Sequence, residues 1–389
     1  MRQIGVGTWA CSDRERELVN QVLDSGRLSY GPMSRQLESE FASIHHCRYG
    51  VLSNSGTSSL QVAIQAMKEL YGWEDGDEII VPAITFVATV NAVLHNKLIP
   101  VLVDVNSMTY NIDVTKIDKA LTDKTRAIIP VHMFGQPADM AWIRTTYWGK
   151  YKLIEDACEA AFSMQAAHPV GSWGDVGCFS MYVAHLLTTG VGGIAITNHA
   201  DLAAKMRSIV NHGRDGIYID IDTEASKEVI TRRFKFDTIG HSYRITEMEA
   251  ALGVAQLENW DDMIKQRAYN ANYLTRHLVD LELLHDFISL PYVLEGVHHS
   301  WMMYPIVMKH EDKWGMVNHL ESRGIETREM MPLTNQPCYE GMFNEDDYPI
   351  AKNINECGFY IGCHQGLSTD DLDYIIEVMY EYHHGKSKS

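Results

Sequence analysis

Four short stretches carry residue types that could act together in catalysis. Asn54-Ser-Gly-Thr-Ser-Ser-Leu60 is a turn of small residues that opens into a helix-spaced apolar run of Leu60, Ala63, Ile64, Met67 and Leu70. The first N–H groups of a helix lack internal acceptors, so Gly56, Thr57 and Ser58 could seat an anion such as a phosphate. Taken alone, the turn reads first as a capped helix start that binds nothing. Asp156 closes the apolar run Leu153-Ile-Glu-Asp156. A carboxylate at the carboxyl end of a parallel strand faces the ligand crevice of an open sheet, although a helix cap explains it equally well. Phe86 follows Glu78-Ile-Ile-Val-Pro82 and could cover a planar ring, or simply fill the core. Finally, Cys178 to Gly193 joins a strand, Ser180, His185 and a glycine-rich turn within sixteen residues. An imidazole there is a candidate general base near neutral pH.

The elements needed to hold these residues follow from periodicity. Short β-rich runs at Glu78–Pro82, Pro100–Asp104, Ala127–His132, Leu153–Asp156 and Gly193–Thr197 alternate with amphipathic segments. Helical crossovers between apolar runs predict an α/β fold with a largely parallel, buried sheet. A strong helix starts near Ile245; beyond about residue 260 come a long helix (Asp262 to Leu283), a strand in SWMMYPIVM, a helix near Trp314 and a last helix from Thr369. With 389 residues, more than one core is expected: a large α/β domain at 1–258 and a smaller α+β domain at 259–389. The HHGKSKS tail reads as a frayed end.

Composition narrows the function. A net charge of −18 argues against non-specific nucleic-acid binding and against anionic membrane surfaces. No apolar run is long enough for a signal peptide or a membrane span. Seven cysteines without a C-x-x-C pair suggest neither a disulfide framework nor a zinc site, so no metal is expected and a cytoplasmic location is.

In order, the motifs resemble those of the DegT-type pyridoxal-phosphate sugar aminotransferases and dehydratases. The resemblance covers nearly the whole chain. It runs through Gly56-Thr57, Thr85-Phe86-Val-Ala-Thr89, Val131-His-Met-Phe-Gly-Gln-Pro-Ala-Asp139 and Ile154-Glu-Asp-Ala157. It continues in Asn211-His-Gly-Arg-Asp215, Gly240-His-Ser-Tyr-Arg-Ile245 and Ala250 to Leu257. It implies the aspartate-aminotransferase fold and an obligate homodimer with shared sites. By the same resemblance Asp156 pairs with the pyridinium nitrogen of pyridoxal 5'-phosphate or pyridoxamine 5'-phosphate, and Phe86 stacks on the ring. Gly56, Thr57, Ser58 and Ser180 hold the phosphate. Glu159 stands near the far side of the ring, where many relatives have Gln. Ser242 replaces the Asn that reaches the neighbouring subunit's phosphate; a hydroxyl donates one hydrogen bond at shorter reach.

Transaminases of this family carry a covalently cofactor-bound Lys where this chain has His185. The 4-keto-6-deoxymannose 3-dehydratase branch has His at this place, and Gly358-Phe-Tyr-Ile-Gly-Cys-His-Gln365 also resembles that branch. The resemblance therefore implies a lyase acting on a nucleotide-linked 4-keto-6-deoxy sugar, with His185 as base and glutamate restoring the amine. The alternatives are a glutamate-dependent sugar aminotransferase, including a Lys→His variant of one, and a non-catalytic cofactor-binding regulator. Leu186 and Val191 stand where that branch has a second His and an acid, which predicts an apolar setting and a depressed pKa for His185. His298-His299-Ser-Trp301 is a possible substrate contact. Charge is uneven: residues 340–389 hold ten acids and three bases, whereas Thr231–Arg244 holds Arg232, Arg233, Lys235 and Arg244 against Asp237. That basic segment is expected to receive the nucleotide diphosphate.

Overall fold

The computed structural model describes residues 2–215, 234–280, 287–309 and 312–386. The main sheet uses β1 (Tyr49–Ser53), β2 (Glu78–Pro82), β3 (Ile99–Val103), β4 (Thr125–Ile128) and β5 (Lys152–Asp156). After a short ribbon of β6 (Met164–Gln165) and β7 (His168–Pro169), it is completed by β8 (Val176–Ser180) and β9 (Gly193–Thr197). The seven strands lie in the order β1-β9-β8-β5-β4-β2-β3. From β3 to β8 all pairings are parallel, while β9 runs antiparallel to both β8 and β1. The largely parallel α/β sheet is thus present, with one reversed strand.

Burial on both faces explains why the strands read as unbroken apolar runs. In β2, Ile79 and Val81 join one core, while Ile80 joins the other with Val103, Ile128 and Leu153. Helices cover both faces, so neither alternate position meets water. Among these are α1 (Asp13–Ser25), α2 (Pro32–Ile44), α3 (Gly56–Tyr71) and α4 (Val87–His95). Helix Glu247–Leu257 packs against α1 and α2; its start is set by a capping box between Thr246 and Glu249.

Beyond it, helix Trp260–Asp280 leads to a four-stranded antiparallel sheet. The strands are β10 (Ile288–Ser289), β12 (Tyr304–Met308), β13 (Thr327–Glu329) and β14 (Gly358–Ile361), while β11 (Val297–His298) turns back to pair with β6. Helix Lys313–Ser322 and helix Thr369–Lys386 complete this part. The amino terminus also belongs to it structurally: Ile4 exchanges backbone hydrogen bonds with Gly324 and Glu326 at 2.8 and 2.9 Å. Of the tail expected to fray, residues 383–386 continue the last helix, with the His384 and Tyr380 ring centroids 3.7 Å apart, and residues 387–389 lie outside the described residues.

Candidate active site

The turn after β1 is built to leave donors free. Ser55 caps α3, its hydroxyl accepting from Ser58 N at 3.1 Å and its carbonyl from Ser59 N at 3.0 Å. The N–H groups of Gly56 and Thr57 come before the first intrahelical bond, so they are available to an anion. Ser180, at the end of β8, lies directly beside them: a Cβ on Gly56 would sit 2.8 Å from Ser180 Cβ and 2.7 Å from Cys158 Sγ. Gly193 is pressed against the same turn, its notional Cβ 2.3 Å from the Ser55 carbonyl. These close approaches leave no room for side chains. Gly56→Ala is therefore expected to overpack the seat and raise the Kd for pyridoxal phosphate by about tenfold or more. An absorbance titration that gives an unchanged Kd would place the phosphate elsewhere.

Asp156 ends β5, next to β8, and is 5% exposed. Thr89 Oγ1 donates to Asp156 Oδ2 at 2.7 Å and itself accepts from Thr85 Oγ1 at 2.6 Å. Cys158 N reaches the other carboxylate oxygen at 3.3 Å. The two threonines, four apart across the start of α4, were not singled out as site residues by sequence reasoning. The visible signal was the hydroxyl pair flanking Phe86. Phe86 itself stands at the N-cap of α4 and is 58% exposed as a residue, so it is not a core aromatic and is open to cover a ligand.

Glu159 follows on the same turn as Asp156 and is buried. Burial and the nearby Asp156 charge push its pKa up to about 7, although Phe134 N, donating to Oε2 at 2.7 Å, opposes this. The loop after β8 carries His185 and is held from outside: Gln256 Oε1 accepts from Thr188 N at 2.8 Å, and Gln256 Nε2 bonds buried Glu15. His185 Nδ1 is enclosed without a hydrogen-bond partner. Burial lowers the His185 pKa to about 4; a bond to the Ser180 backbone works against this and the Arg267 charge adds to it. The depressed pKa was expected, but Val191 is not its source, because that side chain is half exposed while Leu186 is buried.

The remaining polar residues of these motifs are engaged as follows. His132 is a core residue: Nε2 donates to Glu155 at 3.1 Å while Nδ1 accepts from Ala138 N, a tautomer assigned from this network. His299 is buried, stacked on Trp301 at 3.9 Å, with its pKa lowered by burial to about 3. Ser242 is engaged within its own chain, its hydroxyl accepting from Arg244 Nη2 at 2.8 Å, while the carbonyl of Tyr243 accepts from Asn54 N beside the anion seat. In the basic segment, Arg232 and Arg233 lie outside the described residues. Lys235 pairs with Asp215 at 3.2 Å and Asp237 at 3.1 Å, so its charge is compensated. Among the described residues no cluster of three or more His, Cys, Asp or Glu could hold a metal, none of the seven cysteines is in a disulfide, and no helix is long and apolar enough to cross a membrane.

A doubly covered sheet with anion seat, carboxylate and imidazole at the carboxyl ends of β1, β5 and β8 defines a fold-type I pyridoxal-phosphate scaffold. The profile of the DegT/DnrJ/EryC1/StrS aminotransferase family matches residues 10–380, and the chain belongs to that family. It is 30% identical to GDP-perosamine synthase of Escherichia coli O157:H7 over 99% of this chain and 100% of the relative. To the GDP-perosamine synthase of Caulobacter vibrioides it is 31% identical over 97% of each. Among solved structures, E. coli GDP-4-keto-6-deoxy-D-mannose-3-dehydratase with bound hydrated PLP superposes with a TM-score of 0.88 at 26% identity, covering 97% of this chain and 100% of that one. A mutant of GDP-4-keto-6-deoxymannose-3-dehydratase with bound GDP-perosamine superposes with a TM-score of 0.89, also at 26% identity, covering 97% of this chain and 100% of that one. This chain is a sugar-modifying enzyme of that family.

Proposed function

We propose that the protein uses pyridoxal or pyridoxamine 5'-phosphate to remove the 3-hydroxyl of a nucleotide-linked 4-keto-6-deoxy sugar, with His185 as the base. The observation that carries this reading is His185 itself, on the β8 loop where transaminases place their lysine, with its Nδ1 enclosed and unpartnered. The nearest lysines in sequence, Lys152 and Lys205, are tied to Asp175 at 3.0 Å and Glu69 at 3.1 Å. The residues present fit the cofactor: the glycine-lined seat at Gly56 leaves room for a phosphate, and exposed Phe86 caps the helix whose Thr89 holds Asp156. Bound pyridoxamine phosphate would supply an amine for the keto carbon and a ring that accepts an electron pair.

The protein's part is then to hold and to move protons. Gly56, Thr57 and Ser180 fix the phosphate through N–H and hydroxyl donors, whereas Ser58, also expected there, has its N–H on the Ser55 hydroxyl and its own hydroxyl on Asn54 Oδ1 at 2.7 Å. Asp156, oriented by Thr89 and Cys158 N, holds a proton on the ring nitrogen. His185, kept neutral by burial, would take a carbon-bound proton from the bound sugar and cofactor and return it to the departing 3-hydroxyl, which leaves as water. Ser242 of a second copy would complete the phosphate site in a homodimer, and glutamate would restore the amine.

A second reading, glutamate-dependent amine transfer to the sugar, is favoured by the perosamine synthases among the relatives. Incubation with pyridoxamine phosphate, glutamate and a panel of nucleotide 4-keto sugars separates the two. A 3-deoxy sugar without amino sugar is expected; amino sugar alone would sink the dehydratase reading.

A further inference from the structure

Arg267, on helix Trp260–Asp280, is 1% exposed, and no carboxylate pairs with it among the described residues. Nη1 donates to the carbonyls of Trp301 and Met302 at 3.1 and 3.0 Å, and Nε has no partner. A buried guanidinium without a counter-ion is costly, so what it holds is informative.

It holds one left-handed turn against another. Trp301 (φ 51°) lies in one turn, and Phe134 (φ 56°) with Gly135 (φ 100°) in the other. Ser300 N donates to Gly135 O at 3.1 Å and Met302 N to Phe134 O at 3.0 Å. The contact is close: a Cβ on Gly135 would stand 2.7 Å from Ser300 Oγ. Left-handed backbone at Phe134 and Trp301 persists only where its surroundings impose it. The result is a Phe134 N–H aimed at Glu159 Oε2.

We propose that Arg267 is a positioning residue for Glu159, clamping the Trp301 and Met302 carbonyls so that Phe134 N–H stays on the Glu159 carboxylate. The proposal rests on the reading above only in placing Glu159 within reach of a bound cofactor. The ionisable groups facing Glu159 are Asp156 and Cys158 on its own turn and Tyr360 on β14. Of these, Cys158 and Tyr360 are neutral near pH 7 and only the Asp156 charge disfavours the ionised form of Glu159, so the Phe134 N–H is the contact that supports it.

The test follows the absorbance of pyridoxal phosphate bound to the full chain as pH is raised through neutrality, together with the thermal unfolding midpoint. The native protein is expected to show an inflection near 7, absent from Glu159→Gln. In Arg267→Met that inflection moves up by about one pH unit or more. Arg267→Lys, which keeps a cation but has a single nitrogen to offer, moves it less. A merely structural Arg267 would lower the unfolding midpoint and leave the inflection in place, which overturns the proposal. Absence of a Glu159-dependent inflection overturns it too. If Arg267→Met does not fold, Arg267→Lys decides by the same criterion: a displaced inflection supports the clamp and an unmoved one overturns it. No reading requires a sugar, so failure to form a 3-deoxy product would refute the proposed function and leave this test standing.

Discussion

His185→Gln is expected to lower turnover by about 10²–10⁴-fold, the span of a positioned general base, while affinity for pyridoxamine phosphate stays nearly unchanged. Glutamine fills a similar volume and can hydrogen-bond, but it cannot take up a proton. His185→Lys should do something different in kind: it should create a covalent cofactor link with an absorption band that the native protein lacks, and open glutamate-driven amine transfer. The pH profile adds a further check. With the His185 pKa lowered to about 4, the base is neutral above that value, so the acidic limb of kcat/KM falls near 4 rather than near an ordinary imidazole value. A bound sugar diphosphate brings negative charge near the ring and favours the imidazolium, so the limb of kcat lies at higher pH than that of kcat/KM. Linkage runs the same way for stability. A histidine depressed in the folded state stabilises above its unfolded pKa, and that contribution is lost as pH falls from about 6.5 through 4. Turnover by His185→Gln within tenfold of native would remove the base from the mechanism.

Sequence reasoning could see the site where chemistry sits at the end of an apolar run. Asp156 closes such a run, Ser180 ends a strand, and Gly56 opens a helix, so local pattern locates all three. What it could not see depends on pairing between distant segments. Thr85 and Thr89 were visible as hydroxyls beside Phe86, but the Thr89 bond to Asp156, which Thr85 supports through Thr89, requires β2 and β5 to be two strands apart, with β4 between them. Arg267 was invisible as a core residue, because WDDMIKQRAYNANYL reads as an amphipathic helix in which Arg belongs to the wet face. Its burial is decided by the Trp301 and Met302 carbonyls, thirty-four and thirty-five residues away. The burial of His299 was hidden for the same reason: its stacking on Trp301 is not written in the local pattern. Strand β9 was placed at the correct residues but not in its direction, because nothing local to Gly193–Thr197 distinguishes an antiparallel partner in a sheet buried on both faces.

Asp156→Asn should have the second large effect, about 10²–10³-fold on turnover, from the loss of one member of a buried charge pair. The substitution spares the fold. An amide oxygen can still accept from Thr89 Oγ1, and Cys158 N keeps an acceptor if the oxygen turns toward it, so the bonds that orient the side chain survive in part. In the role proposed for Asp156, what is lost is the negative charge that keeps a proton on the ring nitrogen, and without it the ring is a poorer electron acceptor. Two measurements separate this from general damage. Unfolding temperature should change little, since the carboxylate's partners here are a neutral hydroxyl and a backbone N–H rather than a cation. A pyridoxamine phosphate analogue methylated on the ring nitrogen carries its positive charge permanently, so it should restore turnover in Asp156→Asn relative to the ordinary cofactor. In the native protein the same analogue should bind beside Asp156 with no such gain. Equal losses with both cofactors would mean that Asp156 acts only as a strand-end cap, and the assignment of the ring nitrogen to this carboxylate would fall.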